Sequence, residues 1–135
     1  MNQVLKIEAQ AFPKSAYSRE TFLHFHRRLP ETFLVLEQEK VRGYIIFEPN
    51  GHIISLAVDP AYRRGGIGTR LMNACESHCA SDILVVEVRK GNKSAQSFYK
   101  RLGFCVTSRV PLYYGTEDAY VMEKRMSSAD AEGVH

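Results

Sequence analysis

The sequence predicts an α/β (α+β) fold, a mixed and mostly antiparallel sheet with helices on its faces, and three observations carry that prediction. β-branched and aromatic runs recur between residues 32 and 126. Segments with apolar residues at three- and four-residue spacing stand before, between and after them. A strong turn signal, "PNG" at 49–51, folds the first runs into a meander. The 135 residues, 44% of them hydrophobic, suit one compact domain, expected over 1–126.

The elements follow in order. Val4, Ile7 and Ala11 recur at helical spacing, and Pro13 opens the loop "FPKSAYS". Ser18 is placed to cap a second helix through Thr21, Phe22 and Phe25, which ends at Pro30. "TFLVLE" (32–37) and "VRGYIIFE" (41–48) read as strands joined by "QEK", and "HIISLAV" (52–58) as a third, antiparallel to its predecessor. A turn at Asp59 and Pro60 leads to a glycine cluster and a helix beginning near Gly66, with Leu71, Met72, Cys75 and Cys79 on one stripe. "ILVVEV" (83–88) is a continuous β-branched run, the mark of a strand covered on both faces. After "RKGNK" comes an amphipathic helix, "SAQSFYKRLGF", closed by Gly103. "CVTSRV" and "DAYVMEKRM" read as a last strand pair around the loop "PLYYGTE". "SSADAEGVH" (127–135) is expected to be a disordered tail.

Charge and cysteine usage exclude several function classes. The net charge is +3, with lysines and arginines interleaved with acids, and no strand alternates basic and aromatic residues as a stacking platform does; no direct nucleic-acid partner is expected. There is no charged-then-apolar leader, and no apolar run nears the roughly 20 residues of a membrane span. A cytoplasmic protein without a membrane role is expected. Three cysteines fit reduced thiols better than a disulfide framework. Cys75, His78 and Cys79 share a helical stripe but lack the further ligands of a tetrahedral site, so no metal is expected; both cysteines are expected in the core.

The segment "AYRRGGIGTRL" (61–71) poses the chemical question. Glycine disfavours a helix, yet a glycine-rich turn into a helix start brings unpaired backbone N–H groups within reach of an anion, and the helix dipole favours negative charge there. Arg63 and Arg64 add charged donors and Thr69 a hydroxyl, an arrangement suited to a pyrophosphate. It is not a P-loop, because Gly68 is followed by Thr69 and Arg70, and it lacks the features of a dinucleotide fingerprint. Taken alone, it is equally compatible with a tight turn under a closely packed helix.

The wider context distinguishes the two. "LAVDPAYRRGGIGTRLM" resembles the acetyl-coenzyme A motif of the GCN5-related N-acetyltransferases, R/Q-x-x-G-x-G/A, with Arg63, Gly66 and Gly68 in its places. "VEVRKGNKSAQSFYKRLGF" resembles the second motif of that superfamily. Within it, "AFPKSAYSRETF", "EVRKGN" and "RVPLYYGTEDAYVM" are most similar to the RimI type, the ribosomal-protein alanine N-acetyltransferases, and to related protein N-terminal acetyltransferases. Members open on a strand before the first helix, whereas here helical spacing starts almost at Met1.

The resemblance implies a GNAT fold that binds acetyl-CoA and passes its acetyl group directly to an amine in a ternary complex. The cofactor would meet Arg63, Arg64, Gly65, Gly66, Ile67, Gly68 and Thr69 at its pyrophosphate. Its pantetheine arm would meet the backbones of Leu56 and Val58 and the side chain of Asn92. Glu87, a carboxylate inside an apolar run, matches the family's general base, the alternative being an alternating strand whose other face is wet. Tyr99 matches the proton donor to the departing thiolate, its other reading being a core aromatic. Asn92 is also placed to cap its helix. His52 shares a face with Ile54, Leu56 and Val58; it is either a turn-proximal histidine or part of a base relay on the acceptor side. Tyr113 and Tyr114 are expected to line the acceptor groove.

The resulting expectation is an acetyl-CoA-dependent N-acetyltransferase of a protein or peptide N-terminus, with a ribosomal protein as one such acceptor, acting as a monomer or homodimer. A small-molecule amine acetyltransferase and a non-catalytic CoA-binding regulator are the alternatives.

Overall fold

The structure, a computed structural model, describes residues 1–13, 16–63, 65–113, 115 and 117–126. The tail expected at 127–135 lies outside the described residues. The elements are α1 (Asn2–Ala11), α2 (Arg19–Arg28), β1 (Phe33–Gln38), β2 (Lys40–Phe47), β3 (His52–Val58), a 3-10 turn (Pro60–Tyr62), α3 (Ile67–His78), β4 (Ile83–Arg89), α4 (Lys93–Arg101), β5 (Cys105–Val110) and β6 (Ala119–Arg125). Among the described residues one sheet runs in the order β1-β2-β3-β4-β6-β5. The β1/β2, β4/β6 and β5/β6 pairs are antiparallel and β3/β4 is parallel. Among the described residues the first element is α1, where helical spacing begins.

Two compact units make up the chain: Met1–Pro49 with Ile54–Cys79, and Asn50–Ile53 with the chain from Ala80 on. The first unit is built around β2, whose residues 43–47 are all buried. Tyr44 and Ile46 join Val4 and Ile7 of α1, Phe22 of α2, Leu29 and Ala57 in one cluster. Phe22 is its hub, meeting Phe25, Phe33 and Tyr44 edge-on or tilted at 5.7–6.4 Å between ring centres. At Gly43, by contrast, a Cβ would lie 3.0 Å from the Ala57 carbonyl oxygen and 3.1 Å from both Ile67 Cγ2 and Leu71 Cδ1. Helix α3 reaches β2 because that position has no side chain.

This cluster also contains a carboxylate. Glu8 is 1% exposed. Its Oε1 accepts from Ser55 Oγ at 3.0 Å and from the Tyr44 hydroxyl, and its Oε2 accepts from the Tyr17 backbone N–H at 3.0 Å. Three neutral donors thus replace the lost hydration. Tyr17 immediately precedes Ser18, whose Oγ caps α2 by accepting from Thr21 N–H at 3.2 Å, as expected. Burial, and next the charge of Glu8, push the Tyr44 phenol well above its usual range.

The second unit rests on β4 and β6. Leu84, Val86 and Val88 are buried together with Met122, Phe104 and Tyr99. Asn92 Oδ1 accepts from Ala95 N–H at 3.1 Å and caps α4. That helix ends at Arg101, and Gly103 takes the left-handed conformation beyond its cap at φ 101°. β4 is not covered on both faces as its β-branched run predicts. Leu84, Val86 and Val88 are buried, whereas Ile83, Val85, Glu87 and Arg89 are half-buried. The strand buried throughout one stretch is β2. Glu87 and Arg89 mark β4 as two-faced, since ionised groups stay near water unless fully partnered.

Replacing Tyr44 with Phe removes one donor from a buried carboxylate, and the expected loss of unfolding free energy is about 1–3 kcal/mol in urea denaturation. The unfolded phenol loses its proton near pH 10 while the folded one keeps it. Stability therefore falls as pH rises above about 10, with a shallower alkaline slope in Tyr44→Phe.

Candidate active site

Period two along β4 puts Val85, Glu87 and Arg89 on the half-buried face. The parallel pairing of β3 with β4 sets His52 opposite Val85 and Ile53 opposite Val86. His52 Nε2 then lies 2.8 Å from Glu87 Oε1, with the imidazole 35% and the carboxylate 19% exposed. An ionised carboxylate only accepts, so Nε2–H donates in this bond. His52, read from the sequence as either a turn-proximal histidine or part of a base relay, thus stands within hydrogen-bond distance of the carboxylate singled out as the base.

A second donor comes from the loop between β5 and β6. Tyr113 hydrogen-bonds to Glu87, and its phenol is pushed up by burial, then by the negative charge of Glu87 and by that bond. The ring is otherwise half exposed, as a side chain lining an open surface would be. Glu87, His52 and Tyr113 thus form one cluster: a carboxylate, an imidazole able to pass a proton, and a phenol at its rim. Tyr114 lies outside the described residues.

Tyr99 and Asn92 belong to α4 in the same unit. Tyr99 is 5% exposed, with its ring edge-on to Phe98 and Phe104 at 5.1 Å each. Asn92 spends its carbonyl oxygen on the helix cap, which leaves its NH2 end to donate to a ligand carbonyl.

The remaining predicted residues lie in the first unit. Leu56 and Val58 share the half-buried face of β3. Asp59 and Pro60 open a 3-10 turn rather than a simple turn, with Asp59 Oδ1 accepting from Ala61 N–H at 2.9 Å. Gly66 then caps α3 in the left-handed conformation, φ 80° and ψ 8°, without a side-chain hydrogen bond. The first intrahelical bond runs from Arg70 N–H to Gly66 O at 3.0 Å. The amides of Ile67, Gly68 and Thr69 come before it and point out of the helix mouth. A Cβ at Gly66 would meet nothing within 4 Å, so backbone conformation, not crowding, calls for glycine there, and the surface stays open to a ligand. Ile67 contributes only its amide, because its side chain is buried under α3. Arg63, Gly65 and Thr69 are exposed, and Arg64 lies outside the described residues.

Three residues of the second unit escape sequence reasoning. Gln96, buried on α4, donates from Nε2 to the carbonyls of Arg89 at 3.1 Å and Lys90 at 2.8 Å. Arg89 and Glu117 form an ion pair at 3.0 Å. A glutamine on the apolar stripe of a helix, and an arginine two residues after Glu87, are the signals that mark the first two. Nothing local marks Glu117.

The cysteines differ from the expected pair of core residues. Cys75 is buried and Cys79 half-buried, its Sγ 3.6 Å from the Pro49 carbonyl at the end of α3. Burial pushes the Cys75 thiol up to about 12, with Cys79 and Glu76 adding to it. Since only a thiolate reacts quickly, alkylation of the native protein at pH 8 should label the exposed Cys105 first and Cys75 only on unfolding, as read by mass spectrometry of digested peptides.

Comparison with known proteins shows what the chain is similar to. The family model described as "Acetyltransferase (GNAT) family" matches residues 1–104. An uncharacterised N-acetyltransferase of Methanocaldococcus jannaschii is 38% identical over 96% of this chain and 88% of its own length. An N-alpha-acetyltransferase of Sulfurisphaera tokodaii is 33% identical over 90% and 85%. Among solved structures, Ard1 from Thermoplasma volcanium superposes with a TM-score of 0.81 at 32% identity, covering 93% of this chain and 90% of that one. Naa20 from Chaetomium thermophilum, solved with a bisubstrate analogue, gives a TM-score of 0.81 at 28% identity, covering 96% and 84%.

Proposed function

The chain belongs to the acetyltransferase (GNAT) family, and from that premise we propose that it transfers the acetyl group of acetyl-CoA to the N-terminal α-amine of a protein or peptide. Residues 1–126 act as one N-acetyltransferase domain. The observation that carries the reading is the His52–Glu87 pair at 2.8 Å on the half-open face of β4, with Tyr113 at its edge. Relatives named N-alpha-acetyltransferase support the choice of acceptor. The RimI-like motifs extend it to ribosomal proteins in the cytoplasm, with the enzyme a monomer or homodimer. No helix among the described residues is long and apolar enough to cross a membrane.

The chain's own groups divide the work. Amides of Ile67, Gly68 and Thr69, with Arg63, hold the pyrophosphate, and backbone groups of Leu56 and Val58 meet the pantetheine arm. The acceptor arrives as an α-ammonium with pKa near 8. Glu87, with His52 as relay, takes its proton. Glu87 releases that proton to solvent through His52; the neutral nitrogen attacks the thioester carbonyl, forming the N–C bond as the C–S bond breaks, and gives up its second proton to the freed Glu87 as it becomes an amide. Tyr99 donates a proton to the departing CoA thiolate and recovers one from solvent. Tyr113 lines the acceptor side.

Incubating the protein with acetyl-CoA and short peptides, free or N-terminally blocked, tests this. CoA release is expected with free peptides alone, and Glu87→Gln and Tyr99→Phe should each lower kcat by about 10²–10⁴-fold. Tight CoA binding without acetylation of any peptide, but with turnover of polyamines or free amino acids, would move the assignment to small-molecule amines.

A further inference from the structure

Glu117 stands at the end of the loop that carries Tyr113, 30 residues in sequence from the base Glu87 and outside every role assigned above. Its carboxylate is spent at two places. Oε1 accepts from Arg89 Nη1 at 3.0 Å and Oε2 from the Gly91 backbone N–H at 2.7 Å. The pair is sheltered, with Arg89 15% and Glu117 28% exposed. A Cβ on Gly91 would sit 2.5 Å from Glu117 Oε2, so any side chain there would push the carboxylate aside.

Both ends of this contact are braced. On the turn side, Gln96 holds the Arg89 and Lys90 carbonyls and Asn92 caps α4. On the loop side, Asp118 O accepts from Lys90 N–H at 3.0 Å and Asp118 Oδ1 from Leu112 N–H at 3.0 Å. Arg89 and Glu87 project from the same face of β4, two residues apart. The 111–118 loop is therefore fastened to one strand face twice, by Tyr113 on Glu87 and by Glu117 on Arg89 and Gly91.

We propose that Glu117 is a positioning residue that latches the 111–118 loop to β4 and the 89–92 turn, keeping Tyr113 on Glu87 and setting the enzyme's affinity for its acceptor rather than for acetyl-CoA. The assignment of the effect to the acceptor rests on the proposed function; the latch itself does not. The charge-assisted bonds to Arg89 and Gly91 are the stronger class of hydrogen bond. Losing them frees the loop end while leaving Glu87, His52 and Tyr99 in place.

The test has two readouts. In Glu117→Ala, acceptor KM should rise about 10- to 100-fold, the change equivalent to a lost hydrogen bond to a charged group. kcat and the KM for acetyl-CoA should stay within about twofold. Gly91→Ala, which displaces the carboxylate without removing it, should move acceptor KM the same way; Glu117→Gln, which keeps an acceptor for Gly91 N–H, should be milder. The second readout needs no turnover. Ultraviolet titration, with Tyr113→Phe identifying the signal, should show the Tyr113 phenol ionising at lower pH in Glu117→Ala than in the parent. A Tyr113 titration unchanged in both Glu117→Ala and Gly91→Ala would overturn the latch. A shifted titration with equal effects on both substrates' KM would overturn the acceptor assignment and keep the latch. Failure of the parent to acetylate any peptide would sink the proposed function, with the titration still deciding on the latch.

Discussion

Period-two alternation on two neighbouring strands is the constraint from which the rest of the arrangement follows. β4 must bury Leu84, Val86 and Val88 to build the second unit's core, and that requirement alone delivers Val85, Glu87 and Arg89 to the opposite face. A one-residue slip would bury both ionised groups and expose three aliphatic ones, an exchange no local adjustment could offset. Register is thus held by burial energy, and the chemistry inherits a position specified by packing. β3 obeys the same rule: His52 falls on its half-buried face, and Ile53, Ser55 and Ala57 on the buried one.

Ser55 shows what that rule asks of a polar residue on the wrong side. Its hydroxyl lies in the first unit's core, where it meets Glu8 and Tyr44. Each group there would be costly alone; together they satisfy one another, and the carboxylate has an oxygen left to accept the Tyr17 N–H. The chain leading into α2 is therefore tied to a group on α1 that cannot move without exposing a charge to hydrocarbon. A buried carboxylate fixes the path of a surface segment, as Glu117 does in the second unit at a more open site.

The sequence made the elements legible because their signals are local. Ser18 and Asn92 occupy the caps their positions predict, and Gly66 starts α3 within one residue of expectation. The face of β3 shared by His52, Leu56 and Val58 follows from counting by two. What local patterns cannot reveal is which run is buried on both sides. "GYIIF" and "ILVVEV" look alike in hydropathy, and the difference lies in Gly43, where α3 comes within contact of β2, and in the polar partners gathered on β4. Those partners are distant in sequence: His52 and Glu87 are 35 residues apart, Glu8 and Tyr44 are 36, and Glu117 and Arg89 are 28. No spacing rule reaches that far. Motif resemblance singled out Glu87 and Tyr99, but Gln96, Arg89 and Glu117 act through neighbours and leave no motif of their own.

The cluster also bears on which amine the proposed reaction accepts. At rest Glu87 receives bonds from both His52 and Tyr113, and its two oxygens keep lone pairs on which an incoming ammonium can be received. His52 comes from the start of a paired strand, braced by its N–H to Asn50 Oδ1 at 3.1 Å. Tyr113 comes from a loop and is half exposed. Held on Glu87 at this open rim, the phenol stands beside the acceptor as a donor or a wall. Proton transfer to Glu87 favours an amine that gives up its proton readily. An α-ammonium near pKa 8 does so more easily than a lysine near 10.4, a difference of about 3.3 kcal/mol in the proton-transfer step. In the proposed reaction a carboxylate–imidazole pair beside a phenol is thus matched to chain termini, and acid–base chemistry disfavours lysine side chains before any shape of the groove is considered.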